Sequence, residues 1–215
     1  MEAGQFKKRR DQLIAQLEED SGLLLFAGVP IKSSADGTYP FIANRNFEYM
    51  TGITQENSVL AIIKSKGEAR TYLFIDEANP DKERWTGRLL AIEQARRISA
   101  IDDVLLTKNL MAKMEAIFGG EGIYGHVARV YLDLEPNIVI GPNYMHTSAF
   151  GAKLRELDAT LEIKDVYLMI VRQRMIKSDA EVAAIRQAIR ITGFGLNYIA
   201  AKLKPHLYEH QVEGL

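Results

Sequence analysis

The feature that most restricts how this chain can fold is a long helical pattern near its end. Ser178 followed three residues later by Glu181 forms a capping box, where a hydroxyl and a carboxylate satisfy free N–H groups of a helix start. From there Val182, Ile185, Ile189, Thr192, Leu196, Ile199 and Leu203 recur at spacings of three and four, a continuous seam along one helix. Ile191, Phe194 and Tyr198 add a second apolar stripe, so the helix is expected to be covered on two sides. Pro205, with no N–H to donate, ends it. A helix of about 26 residues, roughly 39 Å long, exceeds what one small domain needs. The ten residues after Pro205 restart a helix at Glu209, the pattern of a second domain that begins and then stops.

The 215 residues suit one large domain, or one domain plus a fragment. An apolar content of 47% with 26% charged residues excludes a disordered chain. A net charge of −1 offers no electrostatic case for nucleic acid or an anionic membrane as partner. The basic run Lys7-Lys8-Arg9-Arg10 lies close to Asp11, Glu18, Glu19 and Asp20, and reads as a solvated helix face. The absence of cysteine excludes disulfides, thiolate metal sites and a thiol nucleophile. With neither a signal-peptide core nor an apolar run of about 20 residues, the expected location is the cytoplasm.

Along the chain, Glu2–Glu19 reads as an amphipathic helix stopped by Gly22, and Leu23–Ala27 as a strand buried on both faces. Val29–Asp36 reads as a loop. Ser58–Lys64 and Ala69–Asp76 flank a Ser-Lys-Gly turn and predict a hairpin. Asp81–Arg97 is helical in character, and Val104–Phe118 a clearer helix closed by Gly119-Gly120. Gly122–His126 and Arg129–Leu132 read as strands, Pro142–Leu157 as a helix, Thr160–Ile163 as a strand and Asp165–Arg174 as a helix. Alternation of this kind predicts an α/β fold, a mixed β-sheet flanked by helices.

Three motifs invite chemistry and fail on context. Gly120-Glu121-Gly122-Ile123-Tyr124-Gly125 has the glycine spacing of a dinucleotide loop. That loop needs a strand before it and a helix after it, the reverse of the order read here. His206-Leu207-Tyr208-Glu209-His210 spells an inverted zinc-protease signature, but Pro205 sets His206 in a turn and no third ligand follows. His126 and His146 stand alone, and no Gly-x-Ser-x-Gly elbow occurs. No residue is assigned to catalysis or to a metal.

Three stretches together resemble one family. Asn44–Gly52 (NRNFEYMTG), followed by Gln55–Ile63 (QENSVLAII), is similar to the D-F-x-Y-L-T-G segment and next strand of Xaa-Pro aminopeptidases and their prolidase and creatinase relatives. Thr71–Gly87 resembles the strand and tryptophan segment of the aminopeptidases. Val171–Thr192, with Leu203–Glu213 after it, resembles the join between the N-terminal domain and the catalytic "pita-bread" domain of these metallopeptidases. The resemblance implies a creatinase/prolidase-like N-terminal domain over residues 1–173, with 174–215 forming the linker helix and truncated start of the catalytic domain. It further implies a parent hydrolase that removes the residue before a proline, using two divalent metals, typically manganese, held by carboxylates and a histidine beyond Leu215. This chain would then hold no cofactor and be inactive alone. Its implied partners are its own catalytic domain, homo-oligomer subunits and proline-containing peptides. Trp85, Tyr49 and Asn46 are the substrate-cleft candidates the resemblance singles out, with Asn46 standing where aspartate is common. Arg174 and Lys177 match the join and read as salt-bridge or capping partners between the domains. A prolidase domain and a non-enzymatic peptide-binding module are the alternatives of the same fold.

Overall fold

Short runs of apolar residues between turn signals build the centre of the molecule. The computed structural model describes residues 2–35, 37–78, 83, 87–119, 124–134 and 142–214. The chain divides into two compact units, Glu2–Arg174 and Met175–Leu215.

The first unit holds a six-stranded mixed sheet: β1 (Ser21–Phe26), β2 (Val59–Ser65), β3 (Glu68–Ile75), β4 (Asp103–Leu106), β5 (Arg129–Leu132) and β6 (Glu162–Asp165). The spatial order is β4-β3-β2-β1-β5-β6. The pairs β1–β2 and β2–β3 are antiparallel, and the remaining pairs are parallel. Ser65 pairs with Glu68 across a two-residue turn in which Lys66 and Gly67 have φ of 56° and 76°. Both turn residues with positive φ give the twist that suits adjacent antiparallel strands. The expected hairpin is present.

Side chains along a strand alternate faces, and here both faces are covered. Leu23, Leu25, Leu60, Ile62 and Leu73 face one layer, made by α1 (Ala3–Gln16), α2 (Arg45–Thr51), α3 (Ile92–Ser99) and α6 (Tyr167–Met175). Leu24, Phe26, Ala61, Ile63 and Phe74 face the other, made by α4 (Leu110–Phe118) and α5 (Pro142–Leu157). The sequence reading of β1 as buried on both sides holds, since every residue of it is buried.

Several local readings need correction. Val104–Phe118 is not one helix. Val104, Leu105 and Leu106 pair in parallel with Leu73, Phe74 and Ile75, and a 3-10 turn at Thr107–Asn109 separates that strand from α4. Gly22 does not stop α1, which ends when Leu17 turns extended at ψ 143°. Gly22 belongs to β1, where an added Cβ would stand 2.8 Å from the ring of Phe118. The expected strand Gly122–His126 is not formed over Tyr124–His126, and its first two residues lie outside the described ones. Of the expected helix Asp81–Arg97, residues 81, 82 and 84–86 lie outside the described ones, 87–91 are not helical, and α3 begins at Ile92.

In the second unit, α7 (Asp179–Lys202) begins at the reciprocal capping box of Ser178 and Glu181, where the Ser178 N–H donates to Glu181 Oε2 at 2.9 Å. None of its residues is buried, so the expected cover on two sides is absent among the described residues. Ile189, Phe194 and Leu196 are each more than 60% exposed. The final helix, α8 (Glu209–Glu213), starts after His206, whose φ is 73°. His206 and His210 therefore do not share a helix face.

Candidate functional site

Helix α2 is set by its first residue. The Asn44 side chain accepts hydrogen bonds from the N–H groups of Asn46 (2.8 Å) and Phe47 (3.1 Å), satisfying two donors that a helix start leaves free. Gly52 closes the helix at φ 70°, and Phe47 and Met50 are wholly buried beneath it.

Asn46 is buried within this unit. It is 3% exposed, donates from Nδ2 to Asp133 Oδ2 at 2.9 Å, and accepts at Oδ1 from Arg174 Nη1 at 2.6 Å. Its carboxamide thus joins α2, the residue after β5 and the end of α6. Tyr49 is half-buried, and the Arg9 guanidinium lies 3.9 Å from its ring centroid. Arg9 also donates to the Tyr49 carbonyl at 2.9 Å. Trp85 lies outside the described residues.

The basic run on α1 is not a solvated face at Arg9 and Arg10, which are 5% and 3% exposed. Arg10 donates to the carbonyls of Met50 (2.7 Å), Ser99 (2.8 Å) and Ala100 (3.0 Å). Helix C-termini present such carbonyls without internal partners, and one guanidinium satisfies two ends, those of α2 and α3. Burial pulls the Arg10 pKa down to about 10, so the group stays cationic at neutral pH. The signal for this lies in the sequence. Phe6, Arg10, Leu13 and Leu17 follow spacings of four, three and four, which places Arg10 on the core stripe.

On the surface of the same unit is a cleft of about 830 Å³. Its walls come from the loop residues Pro30, Thr38, Tyr39, Pro40 and Phe41, from Gln55 and Glu56, and from Arg88, Leu89 and Leu90. The loop is held by a bridge between Lys32 and Thr38 and by a 2.9 Å bond from the Tyr39 N–H to the Ile31 carbonyl. Gln55 Oε1 accepts from the Leu90 N–H at 2.7 Å and ties the two walls together. Glu56 holds its proton more readily than an ordinary carboxylate, first through burial and then through repulsion from Asp76. Nothing in the sequence reading pointed to this cleft, because its parts are far apart along the chain.

His126 Nδ1 stands 3.8 Å from Asp158, and His146 meets Phe26 edge-on at 5.1 Å between ring centroids. Among the described residues no group of three or more His, Cys, Asp or Glu side chains comes together as a metal centre. No helix among them is long and apolar enough to cross a membrane.

Fold and site define an α/β domain of mixed strand order that presents a cleft without an assembled catalytic group among the described residues. The chain belongs to the family "Aminopeptidase P, N-terminal domain", whose model matches residues 6–124. It is 26% identical over 209 residues to the Xaa-Pro aminopeptidase of Haemophilus influenzae, covering 97% of this chain and 45% of that protein. A Bacillus anthracis structure assigned to aminopeptidase P matches with a TM-score of 0.90 at 32% identity, over 100% of this chain and 50% of that one. Zinc-substituted Escherichia coli aminopeptidase P in complex with product matches in fold, with a TM-score of 0.80 at 24% identity and 48% of that chain covered. The chain therefore spans about half the length of the relatives it matches.

Proposed function

We propose that this chain serves as the non-catalytic, cleft-bordering half of a metal-dependent Xaa-Pro aminopeptidase. The observation that carries the reading is the agreement of the whole chain with only half of the Bacillus anthracis structure. In this reading residues 174–215 begin the catalytic domain, and the exposed apolar seam of α7 packs into it. An uncovered stripe of that length on a water-exposed helix favours burial against a partner surface. The catalytic domain would hold two divalent ions, manganese by family resemblance, which would supply Lewis-acid activation of water for hydrolysis before proline. Trp85 borders the substrate cleft, while Asn46 and Tyr49 act by holding α2 in place. The parent enzyme is cytoplasmic and assembles from several subunits.

The test compares this chain with the product of the complete reading frame, each supplied with Mn²⁺ and Ala-Pro-Ala. Release of free alanine by the complete product alone is expected. Equal release by the 215-residue chain would refute the reading.

A further inference from the structure

The cleft between Tyr39, Pro40 and Phe41 on one side and Arg88, Leu89 and Leu90 on the other holds a buried polar group without a partner among the described residues. Gln55 is 9% exposed, and its Nε2 finds no hydrogen-bond partner among the described residues. The orientation of the carboxamide is set, because the other end, Oε1, accepts the Leu90 N–H. Flipping the group would set two donors against each other. A buried amide nitrogen without an acceptor costs about 1–3 kcal/mol in desolvation, so an occupant that brings one recovers that loss.

The remaining surroundings specify the occupant further. Among the described residues of the first unit, three of the four large apolar side chains that are strongly exposed, Ile31, Tyr39 and Ile42, lie on or next to the loop that carries Tyr39. Of these only Tyr39 lines the cleft itself, where Pro30, Pro40 and Phe41 stand with it, a surface suited to apolar side chains and extended backbone. Arg88 is exposed at the cleft and makes no ion pair among the described residues. Its guanidinium supplies a fork for a carboxylate. The size, about 830 Å³, lies within the range of sites that hold small ligands.

We infer that this cleft binds a short, extended, apolar peptide with a free C-terminal carboxylate. A main-chain carbonyl of the peptide accepts from Gln55 Nε2, the carboxylate pairs with Arg88, and apolar side chains lie over Tyr39, Phe41 and Leu89. The single neutral donor suits a peptide carbonyl, and the loop walls need no proline in the ligand.

The experiment titrates the ¹⁵N-labelled 215-residue chain with Ala-Gly-Leu-Leu and with its C-terminal amide, followed by side-chain and backbone amide resonances. The expected result is saturable movement of the Gln55 side-chain signals together with the backbone signals of Phe41, Leu89 and Leu90. The amidated peptide should bind at least fivefold more weakly. Gln55→Glu keeps an oxygen for the Leu90 N–H but loses the donor, and should weaken binding at least tenfold. Arg88→Gln, at an exposed position, should weaken the free acid and leave the amide unchanged. No movement at millimolar peptide, movement elsewhere only, or equal affinity in Gln55→Glu would overturn the inference. Because the probe lacks proline and no metal is added, such a failure leaves the aminopeptidase reading intact.

Discussion

Replacing Asn46 by aspartate tests whether the three-element junction at α2 depends on a donor. Asn46 is almost wholly buried, and its two side-chain hydrogen bonds go to an acid and a base. The Asn46→Asp variant keeps, and charges, the acceptor for Arg174. The Nδ2 donor becomes an oxygen facing Asp133 Oδ2 across the 2.9 Å now bridged by a hydrogen bond. Two carboxylates so close cannot both ionise cheaply, so one keeps its proton to higher pH than usual. The strengthened bond to Arg174 offsets part of this, leaving a net loss of about 1–3 kcal/mol at neutral pH. For a chain of this size that lowers Tm by roughly 2–10 °C. The sign with pH follows from the raised folded-state value. The folded variant holds a proton that the unfolded chain releases near pH 4, so the deficit is smallest in acid and grows as pH rises through the raised value. Thermal unfolding followed by circular dichroism between pH 4.5 and 8 reads this directly. Adding Asp133→Asn returns a donor to the pair and should recover at least half of the loss. A deficit that does not change with pH, or a double variant no better than the single one, would refute the reasoning.

Gly52→Ala and Gly67→Ala both place a side chain at positive φ, but only the first meets an obstacle. A Cβ at Gly52 would lie 2.5 Å from the Phe6 ring, whereas nothing lies within 4 Å at Gly67. Denaturant unfolding should show a loss of about 1 kcal/mol for Gly67→Ala and at least ~2 kcal/mol for Gly52→Ala. Arg10→Met strands three helix-end carbonyls and should cost about 2–4 kcal/mol. Arg10→Lys should restore less than half, because an ammonium cannot fork between Met50, Ser99 and Ala100. The raised pKa of Glu56 means that its contribution is most favourable in acid and declines as pH rises through the folded-state value. Glu56→Gln should abolish that decline and equal or slightly exceed the parent at pH 7, by less than ~0.5 kcal/mol given the exposure of the group.

Local chemistry decided the elements whose signals lie within a few residues. The Ser178–Glu181 box and Pro205 bound α7 because a capping bond and a missing N–H act on the adjoining turn. The apolar runs of β1, β2 and β3 and the two-residue turn at Lys66-Gly67 were legible for the same reason, and three separated segments carried the family resemblance. Tertiary structure alone decided that Val104–Leu106 is a strand, since an apolar run of that length suits either state until β3 offers its edge. The helical spacing of Phe6, Arg10, Leu13 and Leu17 marks Arg10 as core-facing, but only the tertiary structure supplied its partners and those of Arg9, carbonyls at helix ends about 40 to 90 residues away. The same holds for the burial of Asn46 between Asp133 and Arg174, and for the cleft that Gln55 lines. Hydrogen-bond partners distant in sequence leave no periodic mark on the chain, and only folding brings them together.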